Sequence, residues 1–170
     1  NSLGVVLAAQ HQTDDAVSCY QQAIAADPNY AEAHHNLGNV FAARGQTEKA
    51  EACFRRALVL KPGAAETHNA LGNSLLTRQR LDEAIAAYQQ ALAFNSRFAE
   101  AHNNLGGAFS QRGQVEAALA SIQQAIALNP NFAAAHYNLG IVLARQGRLD
   151  EAVASYQRAI ALKPGYAEAH

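Results

Sequence analysis

Five histidines stand in one register, His34, His68, His102, His136 and His170, each 34 residues after the last. Imidazoles in register raise the question of metal chemistry. A metal ion needs three or four ligands converging within about 2.0–2.3 Å. Histidines one period apart cannot converge, and His34 and His35, adjacent on a helix, point apart. The expectation is therefore packed core imidazoles, hydrogen-bonded across the repeat, with no metal and no other cofactor. A second row is made of carboxamides: Asn36, Asn104 and Asn138 share one slot, interrupted by Ala70. Each amide offers two donors and an acceptor, so it can pair with both the N–H and the C=O of an extended backbone. The competing expectation is that these asparagines face solvent or bond neighbouring turns. The acidic pairs Asp14–Asp15 and Asp150–Glu151 fall where helices begin, so the helix dipole and capping explain them. No glycine-rich phosphate loop, nucleophile elbow or metalloprotease helix motif occurs, and we expect no enzymatic activity from this segment.

The elements that must carry these rows repeat with the same beat. Leu3–Gly4, Leu37–Gly38, Leu71–Gly72, Leu105–Gly106 and Leu139–Gly140 recur every 34 residues. So do Ala16, Ala50, Ala84, Ala118 and Ala152, and then Ala23, Ala57, Ala91, Ala125 and Ala159. An aromatic slot runs Tyr20, Phe54, Tyr88, Ile122, Tyr156, and a proline slot runs Pro28, Pro62, Ser96, Pro130, Pro164. Self-similarity at this period means a stack of supersecondary units, each too small to bury its apolar face alone.

One period reads as two helices of roughly 13 residues. Pro62 ends one helix, because proline lacks an N–H and disfavours helix in the residue before it. Glu32, Glu66 and Glu100 fall in the first turn of the next, at the positive dipole end. Leu37, Gly38 and Phe41 with His34 form its apolar stripe. Gly45, Gly113 and Gly147 sit where a helix end wants a left-handed residue. Gln79 and His11 replace that glycine, so those two turns are expected to be less regular. The second helix puts Ala50, Cys53, Phe54, Ala57 and Leu58 on one face. Gly38 and its equivalents are expected to face the alanines of the second helix and so permit close approach. Nothing alternates with period two, so strands are not expected. Cys19 and Cys53 occupy equivalent slots about 8–10 Å apart or more, too far for a disulfide. They read as small buried hydrophobes, which fits a reducing compartment.

A 34-residue helix pair with Leu37, Gly38, Phe41, Ala50, Phe54, Ala57 and Pro62 resembles the tetratricopeptide repeat, and the resemblance covers the whole chain. It departs locally, with His34 and its equivalents where the family often has Trp. Runs such as Ala101-His102-Asn103-Asn104-Leu105-Gly106 look like the repeats of O-GlcNAc transferases and their bacterial relatives. The resemblance implies an all-α fold, a right-handed α-solenoid of stacked helix–turn–helix units. Residues 1–170 are then one solenoid fragment with units 1–30 (partial), 31–64, 65–98, 99–132, 133–166 and the start of another at 167–170. It also implies a concave groove lined by the first helices, where the family binds peptides or protein segments. Mapped onto this chain, that groove holds Glu32, His35, Asn36 and Asn39, then Glu66, Asn69 and Asn73. It continues with Glu100, Asn103 and Asn104, then Tyr137, Asn138 and Arg145. In the O-GlcNAc transferase repeats the slot of Asn36, Asn104 and Asn138 forms an asparagine ladder along the inner surface.

The expected function is a scaffold for an extended peptide or protein segment. At about 10 Å per repeat the groove would run near 50 Å, room for roughly 15 extended residues. An alternative is the substrate-recruiting arm of a glycosyltransferase whose catalytic domain lies beyond residue 170. A third is end-to-end self-association, since the chain begins inside one helix and ends inside another. The family's carboxylate clamp is not expected, because its lysine slots hold His35, Asn69, Asn103 and Tyr137. With 13 Lys and Arg scattered against 14 Asp and Glu, net charge −1, a nucleic-acid partner is not expected. No apolar run is long enough to span a bilayer, so no membrane partner is expected either. We expect a cytoplasmic location.

Overall fold

A computed structural model describes residues 13–164; Leu3–Gly4, the His11 turn and His170 lie outside the described residues. Among the described residues every element is a helix. The helices are α1 (Thr13–Ala26), α2 (Ala31–Ala43), α3 (Thr47–Leu60), α4 (Ala65–Thr77), α5 (Leu81–Phe94), α6 (Ala99–Gln111), α7 (Val115–Leu128), α8 (Ala133–Arg145) and α9 (Leu149–Leu162). The even-numbered helices have 13 residues and the odd-numbered ones 14. The chain divides between Phe94 and Asn95 into two compact units. The first holds α1 to α5 and the second α6 to α9.

In the first unit α2 and α3 form one hairpin and α4 and α5 another, with α1 against α2 and α3 against α4. Ala16, Tyr20, Leu37 and Val40 make one core cluster, flanked by the half-buried Val17, Ile24, Phe41 and Cys53. Tyr88 and Phe54 are fully buried. The two cysteines, expected as small buried hydrophobes, are half-buried free thiols. In the second unit Ala118, Ile122, Ala125, Ala135 and Val142 make the core, with α7 packed between its own partner α6 and α8.

Glycine marks the tightest contact in each hairpin. A Cβ at Gly38 would lie 2.6 Å from Phe54 Cε1, at Gly72 2.5 Å from Tyr88 Cε1, and at Gly140 2.5 Å from Tyr156 Cε1. At Gly106 it would lie 2.5 Å from Ile122 Cγ1 and 3.1 Å from the Ala118 carbonyl. The large residue of the second helix, rather than an alanine as expected, fills the space that a side chain would need. The fully buried alanines 50, 57, 84, 91, 118 and 125 act beside it, keeping that helix's own backbone close.

The turns inside the hairpins are alike. Gly45, Gly113 and Gly147 take φ of +71°, +80° and +75°. Gln79 takes φ +60°, and its N–H reaches Leu76 O at 2.9 Å while Arg80 N–H reaches Leu75 O at 3.0 Å. The equivalent bonds from Gly45 and Gln46, to Ala42 and Phe41, are both 2.9 Å. The expectation of a less regular turn at Gln79 is thus corrected: two helix-ending bonds hold a left-handed residue even where it has a side chain. That conformation costs an L-residue about 1–2 kcal/mol, partly offset in glycine by its freer unfolded chain. Gln79→Gly is therefore expected to stabilise the chain by about 0.5–1 kcal/mol. A thermal melt that stays level or falls would contradict this.

Two further expectations are corrected at the helix starts. The histidines are half-buried and serve the loops rather than the core. Nε2 of His34, His68, His102 and His136 donates to the carbonyl six residues upstream, on Pro28, Pro62, Ser96 and Pro130, at 3.2, 2.8, 3.0 and 2.9 Å. Each imidazole therefore ties a helix to the loop that leads into it. Capping does not account for Asp150–Glu151: the N-cap residue Arg148 makes no side-chain cap, and its guanidinium instead pairs with Glu151 at 2.6 Å.

One buried charge links the two hairpins of the first unit. Glu51 on α3 is 2% exposed, and its carboxylate meets Arg55 one turn on, Arg78 at 2.6 Å and Arg80 at 2.6 Å. Arg78 and Arg80 lie in the turn after α4, so the cluster ties one hairpin to the next.

Candidate functional site

The first helices of successive hairpins lie side by side within each unit, α2 with α4 and α6 with α8. Their shared seam is where a polar ligand would find side chains, because the apolar stripe of each helix is spent against its own hairpin partner. Three clefts open along these seams.

At the N-terminal end of α2 and α4 a cleft of about 300 Å³ is lined by Glu32, His35, Lys61, Glu66 and Thr67, with Ala31, Ala57 and Ala64. His35 is central. Asn39 Nδ2 donates to its Nε2 at 2.9 Å, and its Nδ1–H then donates to Thr67 Oγ at 2.9 Å. An amide nitrogen can only donate, so this chain fixes the neutral tautomer with the proton on Nδ1. Burial lowers the His35 pKa, against the pull of the Glu66 and Glu32 carboxylates, and keeps the ring neutral near pH 7. The ring also packs 5.7 Å from Phe54.

Further along the same seam, Asn39, Ala42, Ala70, Asn73, Ser74 and Thr77 surround a second cleft whose floor is Phe54. Asn73 accepts a hydrogen bond from the buried Tyr88 hydroxyl at 2.8 Å. In the second unit a third cleft lies between α6 and α8, lined by Gly107, Ser110, Gln111, Asn138, Ile141 and Arg145 over Ile122 and Val142. Arg145 Nη1 donates to the Ser110 carbonyl at 2.5 Å and its hydroxyl at 2.9 Å.

The residues mapped onto the groove are thus distributed unevenly. Glu32, His35, Glu66, Asn39 and Asn73 line clefts of the first unit, and Asn138 and Arg145 line that of the second. Asn36 and Asn69 are half-buried on α2 and α4, each with a partner, and Glu100 is exposed at the start of α6. Asn103 turns inward: it is 5% exposed and takes a 2.9 Å hydrogen bond from Asn138 Nδ2. Asn104 is half-buried beside it, and Tyr137 packs on Tyr156 at 5.8 Å between ring centres. Part of the asparagine row therefore bonds repeat to repeat.

Thr67, Ser110 and Glu51 had no place in the sequence expectation. Thr67 and Glu51 carry a readable signal, being polar where the period otherwise supplies Ala33, Ala101 and Ala135, or Ile85 and Leu119. Ser110 carries the same signal, standing where the period otherwise supplies Ala42, Leu76 and Ala144. Among the described residues no group of His, Cys, Asp and Glu is placed to hold a metal ion.

Comparison with known structures agrees with this geometry. The chain superposes on the crystal structure of MamA with a TM-score of 0.82 at 27% identity, covering 97% of this chain and 96% of that one. It matches a thermophilic TPR protein of Thermus thermophilus with a TM-score of 0.80 at 26% identity, covering 99% and 92%. YrrB, a TPR protein with an unusual peptide-binding site, matches with a TM-score of 0.77 at 23% identity over 99% and 87%. Among curated proteins no sequence matches the chain significantly. The fold class is an all-α helical-repeat solenoid. The family model of the Cilia and flagella-associated protein 70 C-terminal domain, a TPR domain, matches residues 2–170. With its 34-residue helical hairpins repeating a glycine contact and a left-handed turn, and with this model matching nearly the whole chain, the chain belongs to this tetratricopeptide-repeat family.

Proposed function

We propose that the protein is an interaction scaffold that binds an extended peptide or protein segment along the seams between its first helices. One observation carries this reading: Glu32, His35, Asn39, Glu66, Thr67 and Asn73 of α2 and α4, and Ser110, Asn138 and Arg145 of α6 and α8, line clefts along the seams. Amides, hydroxyls and a neutral imidazole suit an extended backbone, which presents one donor and one acceptor per residue. Glu32 and Glu66 give the first unit's end cleft a mild preference for neutral or basic ligand residues, screened within about 8–10 Å at ordinary salt. YrrB lends support as a protein of this fold that has a peptide-binding site. No described helix is long and apolar enough to cross a membrane.

Selection of a random peptide library on the full chain, followed by hydrogen exchange with a selected peptide, tests the reading. Amides of α2, α4, α6 and α8 are expected to gain protection while those of α3, α5, α7 and α9 change little. Protection confined to the second helices, or selection of no peptide at all, would overturn it.

A further inference from the structure

Gly107 lacks the packing reason that its neighbour has. A Cβ on Gly106 would collide with Ile122, whereas a Cβ on Gly107 would meet nothing nearer than Asn138 Nδ2 at 3.9 Å, an ordinary contact. Glycine weakens a helix interior relative to alanine, and here nothing inside the fold requires it. The same slot in the first unit carries Asn39 and Asn73, whose side chains line their cleft. At Gly107 the wall of the cleft is bare backbone.

The same cleft holds an arginine with donors to spare. Both bonds recorded for Arg145 leave from Nη1, to Ser110. The remaining donors lie on the Nε–Nη2 edge, and no acceptor among the described residues meets them. Arg44, Arg55, Arg78, Arg80 and Arg148 by contrast each pair with a carboxylate. The equivalent positions hold Ala43, Thr77 and Gln111, so the period does not call for a cation here. Ser110 fixes the guanidinium in place, which lowers the ordering cost of a further bond. Buried Ile122 and Val142 form the apolar floor of the cleft, and Arg145 stands exposed at its edge, open to a ligand.

We propose that the α6–α8 cleft is a subsite for an internal acidic side chain of the bound peptide. The ligand backbone passes over Gly107, where the missing Cβ admits it. Its carboxylate takes two parallel hydrogen bonds from the Nε–Nη2 edge of Arg145, the side-on pairing that suits a guanidinium. This rests on the peptide-binding reading above and names the chemistry of one position in the ligand.

The test uses the full chain and a random 12-residue peptide library. Peptides selected by the parent are expected to carry Asp or Glu at one shared position. Changing that residue to its amide should weaken binding about ten- to a hundredfold. Arg145→Gln should erase the acidic preference in a fresh selection while leaving hydrogen exchange in the first unit unchanged. Gly107→Ala should raise the melting temperature yet weaken the same peptides, a split that a purely structural glycine would not produce. If the parent selects no peptide, the peptide-binding reading falls and the subsite with it. If peptides are selected without an acidic preference, or Arg145→Gln keeps that preference, or Gly107→Ala binds as tightly as the parent, only the subsite falls.

Discussion

Replacing Gly72 by leucine is expected to destabilise the first unit by about 1–3 kcal/mol or more. The clash begins at the first carbon. A Cβ there would sit 2.5 Å from Tyr88 Cε1, 2.7 Å from Cδ1 and 3.0 Å from Cζ, where real contacts begin near 3.4 Å. Tyr88 cannot retreat, since it is fully buried and its hydroxyl is held by Asn73 at 2.8 Å. Even Gly72→Ala is expected to lose stability, although alanine is the better helix former. The collision is with one named ring, so Gly72→Ala and Tyr88→Ala should couple, the double variant losing less than the sum. Equilibrium denaturation of the three variants decides the matter. An alanine variant as stable as the parent, or strict additivity, would remove this account of the recurring glycine.

Replacing Arg78 by methionine is expected to cost about 1–3 kcal/mol. Breaking a fully buried ion pair costs about 3–5 kcal/mol, but Arg78 is one-third exposed, so solvent screens part of the loss. Glu51→Leu should behave differently. It removes the buried charge itself, in a slot where Ile85 and Leu119 are tolerated, and leaves Arg78 and Arg80 paired with Glu48 and Glu83. Stability within about 1 kcal/mol of the parent is expected. Equal losses from the two substitutions would contradict this asymmetry. Acid gives a second readout. Burial pushes the Glu51 pKa up, but the hydrogen bonds from Arg78 and Arg80 and the charge of Arg55 outweigh it and hold the carboxyl below its ordinary value. The folded-state pKa is thus depressed. The contribution is complete above the unfolded-chain value of about 4.3 and drains away as pH falls through the folded one. Parent stability should therefore decline in that acid window, and Glu51→Leu should remove part of the slope.

The recurring residues of this chain carried the helices on their own. Leu37–Gly38, Phe54, Ala57 and Pro62 repeat with a period that admits only a helical hairpin, because local rules of proline, glycine and apolar spacing act within a few residues. The left-handed turn at Gly45 was legible for the same reason, and the one at Gln79 was not, because its conformation is imposed by the bonds to Leu75 and Leu76 in defiance of residue type. What the residues face in the neighbouring hairpin needed the tertiary structure. Asn103 and Asn104 are adjacent and chemically identical, yet packing turns Asn103 inward to meet Asn138 and leaves Asn104 half-buried. Glu51 stands out in sequence as a charge in a slot that elsewhere holds Ile85 and Leu119, but only the fold shows its partners, when the turn after α4 brings Arg78 and Arg80 onto it. Periodicity determines which residues share a face, because that is a property of one helix. Which of them meet, and whether a charge is quenched or left for a ligand, is decided by contacts 27 to 35 residues apart, and these exist only once the hairpins stack.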